Sequence, residues 1–145
     1  VARHMIAEGI PGNIVHIAST SGKIAGAQKA AYCSSKAATI KFSQCLALEL
    51  AEFRIRVNSI CPAGVDSERT ALLEAAYSSK PVPTETWMES EDHARMLENK
   101  REIVPLGRIA QGADIANTVA FLASDQSDYL TGLSVNVAGG SELDQ

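Results

Sequence analysis

Three side chains in the first quarter of the sequence could act on one proton: Ser19, Tyr32 and Lys36. Tyr32 and Lys36 are four residues apart, so on a helix they lie one above the other on the same face. A free phenol titrates near pH 10, roughly three units too weak an acid to exchange a proton readily at neutral pH, and a nearby ammonium favours the phenolate. Lys36 is thus placed to tune Tyr32 as an acid/base. Ser19, thirteen residues upstream of Tyr32, offers a hydroxyl that could hydrogen-bond the same substrate oxygen that Tyr32 protonates or deprotonates. Together the three suit the interconversion of a carbonyl and an alcohol.

Positioning them takes a strand, a loop and a helix. Residues 13–18 are a short apolar, β-branched run that reads as a buried strand, and residues 28–52, rich in Ala, Leu and Lys with no Gly or Pro, read as a long helix. Ser19 then sits where the chain leaves a strand, which is where open α/β sheets usually place their ligands. Residues 54–61 alternate and then turn apolar, a second strand. A strand, helix and strand at this spacing make a right-handed crossover and a parallel sheet. Further on, residues 113–124 read as a helix with Ile115, Val119, Phe121 and Leu122 on its apolar side and Asp114 in its first turn. Tyr129-Leu-Thr-Gly132 reads as a turn, and residues 133–137 as a third strand closed by Gly139 and Gly140. Between residues 68 and 104 the periodicity weakens: residues 68–78 and 85–102 read as helices around the break Lys80-Pro-Val-Pro83.

Any long helix can hold a Tyr-x-x-x-Lys. Combined with Ser19, with Asn58-Ser-Ile-Cys-Pro-Ala-Gly-Val65 after the second strand and with Val135-Asn-Val-Ala-Gly-Gly140, it resembles the second half of a short-chain dehydrogenase/reductase. The resemblance implies an α/β fold, the C-terminal half of a doubly wound, Rossmann-type parallel sheet with about three strands and flanking helices. Residues 1–145 would be the C-terminal part of one such domain, with 68–104 a lid over the substrate, lined or packed by Trp87 and Met88. The family's N-terminal dinucleotide-binding half carries a Gly-rich turn, a residue that chooses NAD or NADP, and an Asn of the catalytic set; none of these is found here.

For the complete protein, the resemblance implies hydride transfer between NAD or NADP and a secondary alcohol or ketone: a sugar or polyol, a hydroxysteroid or a 3-ketoacyl thioester. Tyr32 would be the acid/base, Lys36 would lower its pKa and hold the nicotinamide ribose, and Ser19 would position the substrate oxygen. On the cofactor side stand Tyr32, Lys36, Pro62, Gly64, Val65 and Ser67, with backbone groups near Val65 on the carboxamide. The family's usual Pro-Gly is here Pro62-Ala63, with Gly64 one place later. The family's last strand lies near a subunit interface, so a homo-oligomer, dimer or tetramer, is implied; Arg108 is left to that interface or to the lid. Two rival readings keep the fold: a catalytically incomplete fragment that binds or regulates, and a nucleotide-sugar epimerase or dehydratase. The second group is longer, which favours the simple reductase.

The remaining features exclude more than they add. With 46% hydrophobic and 21% charged residues, a net charge of -4 and a pI of about 5.3, a folded domain is expected, with neither nucleic acid nor membrane as partner and the cytoplasm as its compartment. Cys33, Cys45 and Cys61 form no Cys-x-x-Cys pair and read as reduced packing residues. His4 and His16 are isolated and His93 reads as solvated among charges, so no metal is expected. Gly22-Lys23 is not a phosphate loop, because Ile17 and Ile24 stand where Gly and Ser or Thr are needed. Gly22 and Gly26 are instead expected to permit the turns of the loop after Ser19, and no Gly-x-Gly-x-x-Gly occurs. Residues 2–8 read as the last turns of a helix stopped by Gly9 and Pro11, so the chain is expected to begin inside an element. A three-stranded sheet would have a bare edge, and the chain alone is expected to be marginal.

Overall fold

The fold is that of a computed structural model, which describes residues 1–67, 70 and 89–143. Its elements run α1 (Ala2–Ala7), β1 (Gly12–Ile17), α2 (Ala30–Leu50), β2 (Ile55–Pro62), α3 (Glu91–Ile103), α4 (Gly112–Ala123) and β3 (Ser134–Val137). The strands form one sheet in the order β1-β2-β3, and both pairings are parallel. The expected strands and the helices over 28–52 and 113–124 are therefore present, with ends within two residues or so, but β1, expected to be buried, lies at the sheet's edge and is only half-buried. Of the helix expected over 85–102, the described part is α3, which begins only at Glu91 because Ser90 caps it. Trp87, Met88 and all of the helix expected over 68–78 except Thr70 lie outside the described residues.

Central placement explains the composition of β2. Flanked on both edges, it buries both faces: Ile55, Val57, Ile60 and Cys61 are at most 1% exposed, as a strand inside a parallel sheet requires. Each such aliphatic side chain contributes about 1.5–3 kcal/mol on burial. Helix α2 covers one face: Ala47 and Leu50 pack on Ile55 and Val57, while Ile40 packs with Ala18 and Cys61. His16 of β1 accepts or donates a 2.8 Å bond at the hydroxyl of buried Ser43 and so pins α2 to the sheet. Strand β2 starts one residue later than the alternation suggests, because Arg54 has φ 55° and closes the 3-10 turn Ala51–Phe53 in the left-handed region.

Polar residues on β2 tie the later elements to it. Arg56 donates to the carbonyls of Leu122 (3.0 Å) and Ser124 (3.1 Å) and to Ser127 Oγ (2.9 Å), which satisfies orphan carbonyls at the end of α4. Asn58, fully buried, donates to Leu130 O at 2.8 Å and accepts from Leu133 N at 3.0 Å. That exchange sets where β3 begins. At the other end of α4, Asp114 accepts from Gln111 N (2.7 Å) and takes both Arg108 nitrogens at 2.7 Å. Arg108, left by the sequence to an interface or the lid, thus serves the cap of α4. The two-pronged bond from Arg108 and then the Gln111 amide hold the Asp114 carboxyl well below the usual carboxylate range.

Two outcomes are expected. Asn58→Leu leaves Leu130 O and Leu133 N without partners and costs about 2–3 kcal/mol in urea unfolding; a loss under about 0.5 kcal/mol would refute this account of the turn. Because the folded-state pKa of Asp114 is depressed, its stabilisation is complete above its unfolded pKa of about 3.9 and is lost as pH falls below it. Asp114→Asn should therefore lower the unfolding midpoint at pH 7, with the gap to wild type closing between about pH 5 and pH 2. A gap that does not change with pH would contradict the cap.

Candidate active site

Parallel pairing in register brings three strand ends level. Gly12 pairs with Ile55 and Ile17 with Ile60, while Ser59 pairs with Ser134 and Pro62 with Val137. The segments that leave the carboxyl edge are therefore neighbours although they are far apart in sequence: 18–22 from β1, 63–67 from β2 and 138–140 from β3. Apart from Pro62, the last residue of β2, every residue expected at the site lies on the first two or on the start of α2.

Ser19 is the first residue past the ladder, which Ala18 N extends by a 2.8 Å bond to Ile60 O. It is 8% exposed. Its hydroxyl accepts from Ser21 N at 3.2 Å, capping the 3-10 turn Thr20–Gly22, and lies 3.5 Å from Pro62 O. Ser19 and Pro62 are thus brought together. Tyr32 and Lys36 share one face of α2, with Lys36 Nζ 5.9 Å from the Tyr32 ring centroid, at the outer limit of a cation–π contact. Lys36 Nζ also donates to Ile17 O at 3.1 Å. That bond holds the ammonium at the sheet's carboxyl edge rather than out in solvent. Both side chains are half-buried.

What sets the distance between the Ser19 loop and α2 is Gly22. A Cβ there would stand 2.7 Å from the Lys36 carbonyl carbon, 2.8 Å from its oxygen and 2.8 Å from Ile40 Cδ1. Its φ is not in the left-handed region, so Gly22 is needed for close approach of the loop to the helix backbone, not for the turn that the sequence suggested. Gly26 meets only the flexible end of Lys29, at 3.2 Å. The loop is also tied across the sheet, because Lys23 Nζ donates to Ser134 O at 2.7 Å.

On the neighbouring loop, Gly64 has no positive φ, and an added Cβ would meet Ile109 at an ordinary 3.8 Å. The displaced glycine therefore imposes no special backbone here. Val65 bridges to Ala110, Asp66 N donates to Ala110 O at 2.8 Å, and Val65 O accepts from Thr70 Oγ1 at 2.6 Å. Ser67 Oγ is 3.3 Å from Thr70 Oγ1. Val65 and Ser67 are thus part of a hydrogen-bonded loop that leaves the carboxyl edge of the sheet just after Pro62, the last residue of β2.

His93 corrects the sequence reading. Expected among solvated charges, it is 6% exposed, and its Nε2 lies 2.9 Å from Asp66 Oδ1. Gln111 Nε2 donates to the other oxygen of Asp66 at 3.2 Å. The charges around His93 in sequence point outward on α3, whose period puts His93 on the inner side with half-buried Met96 and Leu97. Among the cysteines, Cys61 is buried as expected, but Cys33 is half-buried and Cys45 exposed. Among the described residues, no three His, Cys, Asp or Glu side chains gather as metal ligands, and no helix is long and apolar enough to cross a membrane.

The chain has known relatives in sequence and in fold. The family model described as short chain dehydrogenase matches residues 1–78, and that described as Enoyl-(Acyl carrier protein) reductase matches 75–142. The chain is 35% identical over 140 residues to D-erythrulose reductase of Gallus gallus, covering 97% of this chain and 50% of that protein. It is 35% identical over 144 residues to sorbitol dehydrogenase of Cereibacter sphaeroides, covering 97% and 52%. A solved structure of NAD+-bound xylitol dehydrogenase superposes with a TM-score of 0.74 at 32% identity, over 97% of this chain and 52% of the other. The chain spans about half the length of the curated relatives it matches.

Gly22→Ala should force the loop off the helix backbone and lower stability by about 1–3 kcal/mol, the usual cost of overpacking, measured by urea unfolding. Unchanged stability would mean that loop and helix are not pressed together.

Proposed function

Because the chain belongs to the short-chain dehydrogenase family, we propose that the protein interconverts a secondary alcohol and a ketone with NAD or NADP, its substrate a small polyol or the matching ketose. The observation that carries this reading is the placing of Tyr32, Lys36 and the Ser19 loop at one edge of the sheet, with Lys36 tethered to Ile17 O. The polyol class is supported by the relatives, named for D-erythrulose and sorbitol.

The residues present fit one end of a dinucleotide. The Lys36 ammonium, held at the carboxyl edge, suits ribose hydroxyls, and the ordered loop through Pro62, Gly64, Val65 and Ser67 suits an amide-bearing ring with its backbone and hydroxyl groups. When bound, the cofactor supplies or accepts the hydride. Tyr32 moves the proton at the substrate oxygen, giving it to the forming alkoxide in reduction and taking it from the alcohol in oxidation. The positive charge of Lys36 favours the phenolate form that the second direction needs. Ser19, fixed by the Ser21 amide beside Pro62, donates to the same substrate oxygen and stabilises charge on it. Helix α3, the part of the expected lid that forms a described helix, covers the substrate, and the active protein is a homo-oligomer.

In the full natural protein, supplied with sorbitol, xylitol or erythrulose and either dinucleotide, Tyr32→Phe should lower turnover by about 10²–10⁴-fold, read from reduced-nicotinamide absorbance, with dinucleotide affinity nearly intact. Lys36→Met should weaken both. Wild-type turnover in Tyr32→Phe would refute the acid/base role, and no turnover by wild type on any of these substrates would refute the polyol class.

A further inference from the structure

Helix α3 is polar over most of its surface, and His93 is its one buried residue. Met96 and Leu97 are half-buried, and Ala94, Arg95, Glu98, Asn99, Lys100, Arg101, Glu102 and Ile103 are exposed. Met96 and Leu97 add only partly buried apolar surface, so a polar bond to something rigid contributes to fixing this helix. The bond at hand is His93 Nε2 to Asp66 Oδ1, 2.9 Å, with the two side chains 8% and 11% exposed. An ionised carboxylate only accepts, so Nε2 carries the hydrogen and donates. Burial removes competing water, and a bond to a charged acceptor is among the stronger kinds.

The other end of this bond is equally constrained. Asp66 lies between Val65 and Ser67. Its backbone N–H is held by Ala110 O at 2.8 Å, and its second oxygen by Gln111 Nε2 at 3.2 Å. Ser90 caps α3 by accepting from His93 N at 3.1 Å, so the ring is fixed on the first turn of its helix. A shift of α3 must therefore either break the His93–Asp66 bond or drag the 65–67 loop with it.

We propose that His93 and Asp66 are positioning residues that couple the substrate-side helix α3 to the cofactor-side loop 65–67, so that ordering either one strengthens binding on the other side. This rests on the functional reading above, which assigns the two sides. Neither residue touches the reacting atoms. The coupling is reciprocal, as any binding linkage must be: what α3 gives to dinucleotide affinity, the dinucleotide gives to substrate affinity.

The test uses the full natural protein with its dinucleotide and the polyol or ketose it turns over. In His93→Ala, the dinucleotide Kd and the substrate KM should both rise, each by about 5–20-fold, the lower part of the usual coupling range, and kcat/KM should fall more than kcat. His93→Gln, whose amide nitrogen can reach the same carboxylate oxygen, should restore most of both. His93→Ala combined with Asp66→Ala should be no worse than the worse single change, since both remove one bond. A role in stability alone would lower the unfolding midpoint and the active fraction while leaving Kd and KM unmoved, and that result would overturn the coupling. So would strictly additive effects, or no rescue by Gln. If wild type itself neither binds a dinucleotide nor turns over, the functional reading has failed, and the coupling fails with it for that separate and visible reason.

Discussion

Parallel register is the constraint on which the rest of the molecule depends. Parallel strands cannot be joined by a hairpin, so each must be followed by a crossover that returns to the opposite edge. All three strands then release their chain at the same edge, and only there. Ser19, Pro62 and Ala138 become near neighbours because the ladders Ile17↔Ile60 and Pro62↔Val137 leave no other arrangement. A slip of β2 by one residue would swap the faces of Val57 and Asn58 and break the exchange of Asn58 with Leu130 and Leu133. Buried polar groups on β2 thus reject the alternatives that apolar packing alone would tolerate.

The same edge concentrates contacts that are mutually exclusive with a looser structure. Gly22 lets the loop touch the backbone at Lys36, and Lys36 bonds back to Ile17 at the foot of that loop. The serine and the lysine are therefore positioned by one small closed circuit of chain. On the far side, Asp66 accepts from His93 on α3 and from Gln111, the cap of α4, and donates its backbone N–H to Ala110 O. Chemistry on such a scaffold is placed by rigid strand ends and adjusted by the loops that leave them.

Much of this was legible in residue order, and the parts that were not share a cause. Strands and long helices are local: Ile55 to Cys61 and Ala30 to Leu50 declare themselves by branching, period and freedom from Gly and Pro. The pairing of Tyr32 with Lys36 follows from helix geometry alone. What periodicity could not reveal were contacts across long separations. His93 and Asp66 are 27 residues apart, and the charged neighbours of His93 suggested solvent because His93 is the one fully buried position on α3. Gly22 looked like a turn residue because crowding from Lys36 appears only in three dimensions. Arg108 and Asp114 are close in sequence, yet the signal for their pairing lay in the cap at Gln111, which neither residue announces by itself.

Synthesis order gives the sheet a temporal asymmetry. Strand β2 can pair with β1 as soon as both have left the ribosome, but its other edge waits for Ser134, 72 residues after Pro62. At ordinary elongation rates of about 5–20 residues per second, that interval is roughly 4 to 15 s. Throughout it, a strand of Ile, Val and Cys presents an open ladder to the crowded cell. The nascent chain is thus most exposed to intermolecular pairing after its reactive side chains have been made and before the last strand arrives to close the sheet.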